Sequence, residues 1–177
     1  LVMALYAYRL LRGVGSEEKN WAAFKLASLA FAIPIPFIAF LGDQQGRLLA
    51  KYTPATLAAL EGAYETIPSG FPNLLAYGDW NTPIIGLIEY PVDFRHPLLY
   101  LEWYSKIGLA VLMGLIALFI ALKVIRGKTI SRTWLSLAIF DAFLAIVINI
   151  LGWYIKEVGR QPWVIYGLVK VSDILSP

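Results

Sequence analysis

The chain has 177 residues, of which 59% are hydrophobic and 15% charged, with a formal net charge of +3 at pH 7. A soluble domain carries about 25% charged residues, so the deficit points to a lipid environment. The absence of cysteine excludes disulfides, thiolate zinc sites and iron–sulfur clusters, and the single histidine, His96, excludes a multi-histidine metal site built by this chain alone.

The first apolar stretch, residues 1–11, is shorter than the roughly 20 residues that a spanning helix needs. It also lacks the basic start and cleavage site of a signal peptide. Residues 1–12 therefore read as the last turns of a helix that begins upstream, and the sequence as part of a larger polypeptide or one piece of a split subunit. Three fuller apolar spans follow, at residues 21–41, 107–125 and 134–155. Pro34 and Pro36 lie inside the first and should kink or break it, which a spanning helix tolerates where neighbours satisfy the freed backbone. Lys123, near the end of the second, can extend its ammonium outward. Asp141 and Asn149 lie within the third and are expected to face other helices, with interhelical hydrogen bonding as the expected role and a proton path as the alternative. The pattern predicts an all-α, multi-pass transmembrane helix bundle with a long extracytoplasmic loop.

Orientation follows from the short loops. Arg9, Arg12 and Lys19 flank the connection into the first span, and Lys123, Arg126, Lys128 and Arg132 flank the connection between the second and third. Cytoplasmic loops carry the excess of Lys and Arg, so both connections are expected inside. Residues 42–105 then lie outside, with the tail after Lys156 on the same side. The outer loop is acid-rich: Asp43, Glu61, Glu65, Asp79, Glu89, Asp93 and Glu102 stand against Arg47, Lys51 and Arg95. The basic loop at 126–132 is a topology signal and predicts no nucleic-acid partner.

Within the outer loop, Thr53-Pro54 is a helix start, a capping threonine before proline at the first helical position. Residues 55–66 are strong helix formers, which would put Leu57, Glu61 and Glu65 on one face. Pro68-Ser69-Gly70 should end that helix. Residues 78–91 mix turn residues with a short apolar run at 83–88, and His96 reads as a loop residue. Trp80, Tyr90, Tyr100, Trp103 and Tyr104 suit an interfacial aromatic belt. No internal repeat is evident.

Two groups of residues can carry chemistry. The first is Gly152-Trp153-Tyr154-Ile155-Lys156-Glu157-Val158-Gly159-Arg160-Gln161-Pro162-Trp163, at the end of the third span. On a helix, Asn149, Trp153 and Glu157 share nearly one face, and Arg160 follows within a turn. A carboxylate there can ligate haem iron, an arginine can neutralise it or a propionate, and an indole can pack on a porphyrin edge. The alternative is a glutamate–arginine pair at a helix end between interfacial tryptophans. The second group is Gly42-Asp43-Gln44-Gln45-Gly46-Arg47, Tyr52-Thr53-Pro54 and the run from Ala58 to Thr66 that contains Glu61. Glu61 is either a base that takes a proton or part of a solvated acidic face.

The first group resembles the stretch G-W-x-x-x-E-x-G-R-Q-P-W of cytochrome bd quinol oxidase subunit I. The resemblance makes Glu157 an axial iron ligand of the high-spin b haem, with Trp153 and Arg160 beside the cofactor. Ile165-Tyr166-Gly167 and residues 172–177 also resemble the family, which implies a further membrane helix after them. The second group resembles the start of the family's quinol-binding loop, G-D-x-x-G-R then Q-P-x-K-x-A-A-x-E-x-x-x-E-T. Glu61 matches the glutamate implicated in quinol oxidation, although Thr56 replaces the family lysine and Thr53 the glutamine. Asn81-Thr82-Pro83-Ile84-Ile85-Gly86-Leu87 resembles a further short piece of that loop.

Trp103-Tyr104-Ser105-Lys106-Ile107-Gly108 resembles the family's aromatic followed by F-R-I-M, whose arginine and methionine serve the low-spin b haem. Lys106 fits the basic position. Gly108 stands at the methionine and cannot ligate iron, and Met113 faces another way and reads as a packing residue. The low-spin haem site therefore reads as lost or altered, and the resemblance implies that the histidine ligands of that haem and of haem d, which lie upstream in the family, would fall before Leu1.

The resemblance thus implies a cell-membrane haem protein that oxidises quinol and reduces dioxygen to water, contributing to the proton gradient. The implied partners are quinol, dioxygen, membrane lipid, a subunit II-like chain, and a chain or region carrying the N-terminal half. Two alternatives are a non-catalytic, haem-depleted paralogue that scaffolds a catalytic subunit, and an unrelated helical transporter or membrane anchor.

Overall fold

A computed structural model of the chain describes residues 1–90 and 98–174. Asp93, Arg95 and His96 lie outside the described residues, as do positions 175–177 of the family-like tail. The architecture is all-α, with one small exception. Seven helices are described: α1 (Val2–Arg12), α2 (Glu17–Ala32), α3 (Ile35–Tyr52), α4 (Pro54–Glu61), α5 (Phe71–Tyr77), α6 (Leu99–Ile125) and α7 (Arg132–Gly159). The exception is a two-stranded antiparallel hairpin, β1 (Trp163–Ile165) and β2 (Val169–Lys170), with Trp163 opposite Lys170.

Among the described residues, three stretches are long and apolar enough to cross a membrane: Glu17–Tyr52, which contains the break between α2 and α3, Leu99–Ile125 and Arg132–Gly159. At 27 and 28 residues, α6 and α7 each reach about 40 Å at 1.5 Å per residue. That exceeds a hydrocarbon core of about 30 Å. Phe119, Phe143 and Ile146 are each more than half exposed. Such side chains on long apolar helices are what lipid, rather than water, accommodates.

The chain forms two compact units. The first comprises Leu1–Ile38 and Lys106–Ile150. Its core is built from Met3, Ala7, Phe24, Ile116, Ile120, Leu135, Ala138 and Leu144. Helix α1 ends on Gly13, whose φ of 65° is the left-handed conformation that glycine adopts without strain. The Asn20 side-chain amide donates to the Val14 carbonyl at 2.7 Å and pins the α1–α2 connection. Glu17 and Glu18 occupy the first turn of α2, where the helix dipole favours acids. Helix α2 stops at Ala32 because Pro34 has no N–H to continue the ladder. Helix α3 restarts at Ile35, and Pro36 falls in its first turn, where no N–H is needed. The expected break at these prolines is therefore present. Met113 packs against this core, as a packing residue should.

The second unit comprises Ala39–Ser105 and Leu151–Pro177. Its core gathers Leu57, Ala58, Leu60, Ala63, Ala76, Ile84, Leu87, Leu99 and Ile155. Two local expectations are corrected here. Thr53 as a side-chain cap is one and the helix over residues 55–66 the other; helix α3 itself runs past the apolar span to Tyr52. Gln44, Gln45, Leu48 and Leu49 are good helix formers, and Asp43 pairs with Arg47 one turn later at 3.0 Å, which outweighs Gly42 and Gly46. The helix expected over residues 55–66 ends at Glu61. Gly62 takes φ 66°, and the chain then turns so that the Ala63 and Tyr64 carbonyls accept from the Leu87 and Ile88 amides. Glu65 therefore does not share a helical face with Leu57 and Glu61. Thr53 stands before Pro54 as expected, but its hydroxyl donates back to the Leu49 carbonyl at 3.4 Å rather than accepting from α4.

The rest of this unit is held by a few tight contacts. Ile67 and Ile84 exchange both backbone hydrogen bonds, at 2.9 and 3.0 Å. Asn73 is fully buried, and its amide donates to the Ile67 and Thr82 carbonyls at 3.0 and 2.9 Å. Gly86 is required by close approach, since a Cβ there would lie 2.5 Å from the Glu65 carbonyl carbon.

Candidate functional site

All the residues described first belong to the second unit. Trp153, Glu157 and Gly159 sit on the last turns of α7, and Arg160 follows at once. Ile155 and Val158 point into the core and fix the roll of the helix, which leaves Glu157 partly exposed and Trp153 65% exposed. The Arg160 guanidinium donates to Glu157 Oε2 at 2.5 Å, a charge-assisted contact between two side chains that both retain solvent access. Glu157 and Arg160 are thus paired, and Trp153 stands one helical turn before Glu157. The face presents a carboxylate with one oxygen held by arginine, next to an uncovered indole. Such a face could hold a flat apolar group, with the carboxylate able to offer one oxygen to it. Among the described residues no cluster of three or more His, Cys, Asp or Glu forms a metal site.

The structure brings this motif against the loop segment that lies about a hundred positions earlier in the sequence. A Cβ on Gly159 would sit 3.6 Å from Leu99 Cδ2 and 3.6 Å from Thr56 Cγ2. Ala55, Thr56, Leu87, Gly159, Gln161, Trp163 and Tyr166 enclose only about 10 Å³ of free space. Thr56, which stands where the family lysine is expected, is therefore a packing residue on α4. Tyr90 lies near Tyr77 and Tyr166, and burial, reinforced by those two phenols, pushes its hydroxyl above the ordinary tyrosine value.

Glu61 is the last residue of α4, and the Tyr104 hydroxyl donates to its Oε2 at 2.6 Å. Tyr100, one turn earlier on α6, lays its ring against Gly62, so that a Cβ on Gly62 would be 3.1 Å from Tyr100 Cγ. Two tyrosines at i, i+4 therefore bracket the end of α4. The sequence offered Tyr104 only as part of an aromatic belt. No local signal links residues 61 and 104, because their contact is purely tertiary.

The loop pieces singled out from the sequence divide into separate roles. Arg47 bonds Asp43, and its guanidinium lies so close to Gly78 that a Cβ there would be 2.6 Å from Nη1. Asp79 accepts from the Thr82 hydroxyl at 2.7 Å and from the Asn81 amide at 3.3 Å, which holds its carboxyl below the usual range. Residues 81–87 thus serve the turn, the Ile67–Ile84 bridge and the close approach at Gly86.

The remaining candidates lie in the first unit. Lys106 is partly buried on α6. Gly108 follows on the same helix, and a Cβ there would meet nothing within 4 Å, so packing does not demand glycine. Asp141 is 1% exposed on α7 and lines a cavity of about 380 Å³, and neither of its oxygens has a partner among the described residues. Asn149 is exposed.

Long lipid-compatible helices, together with a folded loop unit that displays a carboxylate–arginine–tryptophan face, define a polytopic membrane protein. The cytochrome bd terminal oxidase subunit I family model matches residues 1–177, and the chain belongs to that family. It is 28% identical over 207 residues to the putative cytochrome bd menaquinol oxidase subunit I of Bacillus subtilis (strain 168), covering 99% of this chain and 46% of the relative. It is 26% identical over 194 residues to cytochrome bd ubiquinol oxidase subunit 1 of the same organism, covering 88% and 41%. Among solved structures it is similar to the bd oxidase from Geobacillus thermodenitrificans, with a TM-score of 0.83 and 25% identity over 96% of this chain and 45% of that one. The chain spans less than half the length of the curated relatives it matches.

Proposed function

We propose that the chain is a subunit of a haem-containing terminal oxidase in the cell membrane, which oxidises quinol and reduces dioxygen to water. The observation that carries this reading is that residues 1–177 belong to the bd oxidase subunit I family, with the motif at 152–163 standing at the end of a helix long enough to span a membrane. Glu157 is the proposed axial ligand of the high-spin b haem. Arg160 fixes the carboxylate and balances its charge, and Trp153 offers an apolar surface to the macrocycle. Lys106 takes the basic position beside the low-spin b haem, whose methionine ligand is replaced by Gly108. Haem d takes its ligand from outside this chain. When bound, such cofactors supply the electron transfer and the oxygen chemistry.

Glu61 is the proposed proton acceptor for quinol, which loses two protons when it loses two electrons. We place residues 42–105 and the tail after Lys156 on the outer side, as the basic residues around the two short connections support. Residues 1–177 then act as a partial transmembrane haem domain with a quinol-loop-like segment. Its proposed partners are membrane lipid, a subunit II-like chain and the polypeptide that carries the N-terminal half. Proton release outside and uptake from the cytoplasm would build the proton gradient.

Gly108 and Thr56 favour one second reading, a haem-depleted paralogue that scaffolds a catalytic subunit. A reduced-minus-oxidised optical spectrum of the purified complex separates the two. We expect high-spin b and d bands with the low-spin band weakened or missing. A complex without any haem band would refute the oxidase reading and leave the scaffold.

A further inference from the structure

We propose that Tyr104 is a positioning residue for Glu61, holding one carboxylate oxygen so that the other is presented to the quinol hydroxyl. This inference rests on the reading of Glu61 as the proton acceptor. Three observations support it. The Tyr104 hydroxyl donates to Glu61 Oε2 at 2.6 Å, across 43 positions of sequence. Glu61 is the last residue of α4, directly before the left-handed Gly62, so its backbone is held at a defined helix end. Tyr100 packs its ring on Gly62, which fixes the register between the start of α6 and the end of α4.

A glutamate at a helix end has three rotatable side-chain bonds, and its carboxylate samples many directions unless something holds it. One hydrogen bond to Oε2 removes most of that freedom and leaves Oε1 to accept. Preorganisation of this kind lowers the barrier by placing the acceptor before substrate arrives. The step served is a proton transfer: the quinol O–H bond breaks and a bond between Glu61 Oε1 and that proton forms. The second quinol proton leaves to water, and the two electrons pass to the complex's own electron acceptor. Tyr104 keeps its proton throughout, because it donates to the oxygen that does not react. The side chain must carry a hydroxyl for this, which an ordinary belt aromatic does not need.

The test is quinol-dependent dioxygen uptake by the assembled complex, with the haem spectrum recorded on each variant as the measure of correct assembly. Tyr104→Phe removes only the hydroxyl. We expect kcat to fall about tenfold with KM for quinol nearly unchanged, as loss of one hydrogen bond to a charged group predicts. Glu61→Gln should lower kcat by about a hundredfold. Adding Tyr104→Phe to Glu61→Gln should then produce no further loss, because the hydroxyl acts only through the carboxylate. Tyr100→Phe, which keeps the ring on Gly62, should behave as the unaltered complex. If Tyr104→Phe turns over normally while Glu61→Gln does not, the positioning role is overturned and the role of Glu61 stands. If Tyr104→Phe costs the same with and without Glu61, the hydroxyl acts elsewhere and the proposal is again overturned. If Glu61→Gln retains full turnover, the proton-acceptor reading falls and the positioning role falls with it.

Discussion

Asn73 shows how much of the loop unit depends on single polar side chains. It is fully buried on the short helix α5, yet its amide reaches two carbonyls, on Ile67 and Thr82, that belong to the two sides of the Ile67–Ile84 bridge. Loss of that amide leaves the Thr82 carbonyl without its donor and the Ile67 carbonyl with the Ile84 amide alone, in a dry interior. Asn73→Ala should therefore cost about 2–3 kcal/mol of local stability. Limited proteolysis of the complex, followed as a rise in cleavage between residues 62 and 90, measures it. Asn73→Asp, similar in size but without the two donors, should be at least as damaging. The sequence gives no hint of this role, since an asparagine in a turn-rich stretch reads as solvated.

Glu157 stands at the opposite extreme of legibility. Its spacing to Trp153 and Arg160 shows in the sequence, and the structure pairs Glu157 with Arg160. Helical periodicity alone leads there, because all three residues lie within eight positions. Glu61 was visible as a candidate base, but its partner Tyr104 was not, because nothing in sequence spacing relates a helix end to a residue 43 positions away.

At the level of elements, the apolar runs located the helices well, while the helix ends inside the loop unit followed tertiary contacts. Ala63 and Glu65 are helix formers, but the Ala63 and Tyr64 carbonyls accept from the amides of Leu87 and Ile88, and the left-handed Gly62 makes the exit possible. Helix α3 outran its apolar stretch because an Asp43–Arg47 pair and a set of good helix formers carried it on. In both cases intrinsic propensity was a weak guide beside the surrounding structure. The hairpin after Trp163 likewise gave no alternating pattern long enough to read. Gly62 is where one of these contacts can be tested. A side chain there must adopt φ 66° and meet the Tyr100 ring at 3.1 Å. Gly62→Ala should cost about 1–2 kcal/mol for the left-handed backbone alone. The crowding should also part Tyr100 from α4 and loosen the Tyr104–Glu61 bond. A lowered thermal unfolding temperature of the complex, with quinol turnover reduced as in Tyr104→Phe, is the expected outcome.

For the whole molecule, composition and run lengths defined the class: a multi-pass helical protein with three stretches long enough to span a membrane. The further meaning comes from two motifs, at 42–66 and 152–163, which folding places together in one compact unit with Thr56 against Gly159. That proximity is what the proposed roles of the two motifs, a quinol-side loop and a haem-side helix end, would require. The departures at Gly108 and Thr56 have different physical standing. Thr56 is filled into a tight wall, so a lysine there would need the packing to change. Gly108 borders open space, so a larger residue could have been kept. The central claim is that Glu157 ligates the high-spin b haem, and the reduced-minus-oxidised spectrum of the Glu157→Ala complex tests it most directly. The account predicts loss of the high-spin b band from a complex that still assembles in the membrane. A spectrum identical to that of the unaltered complex would contradict it.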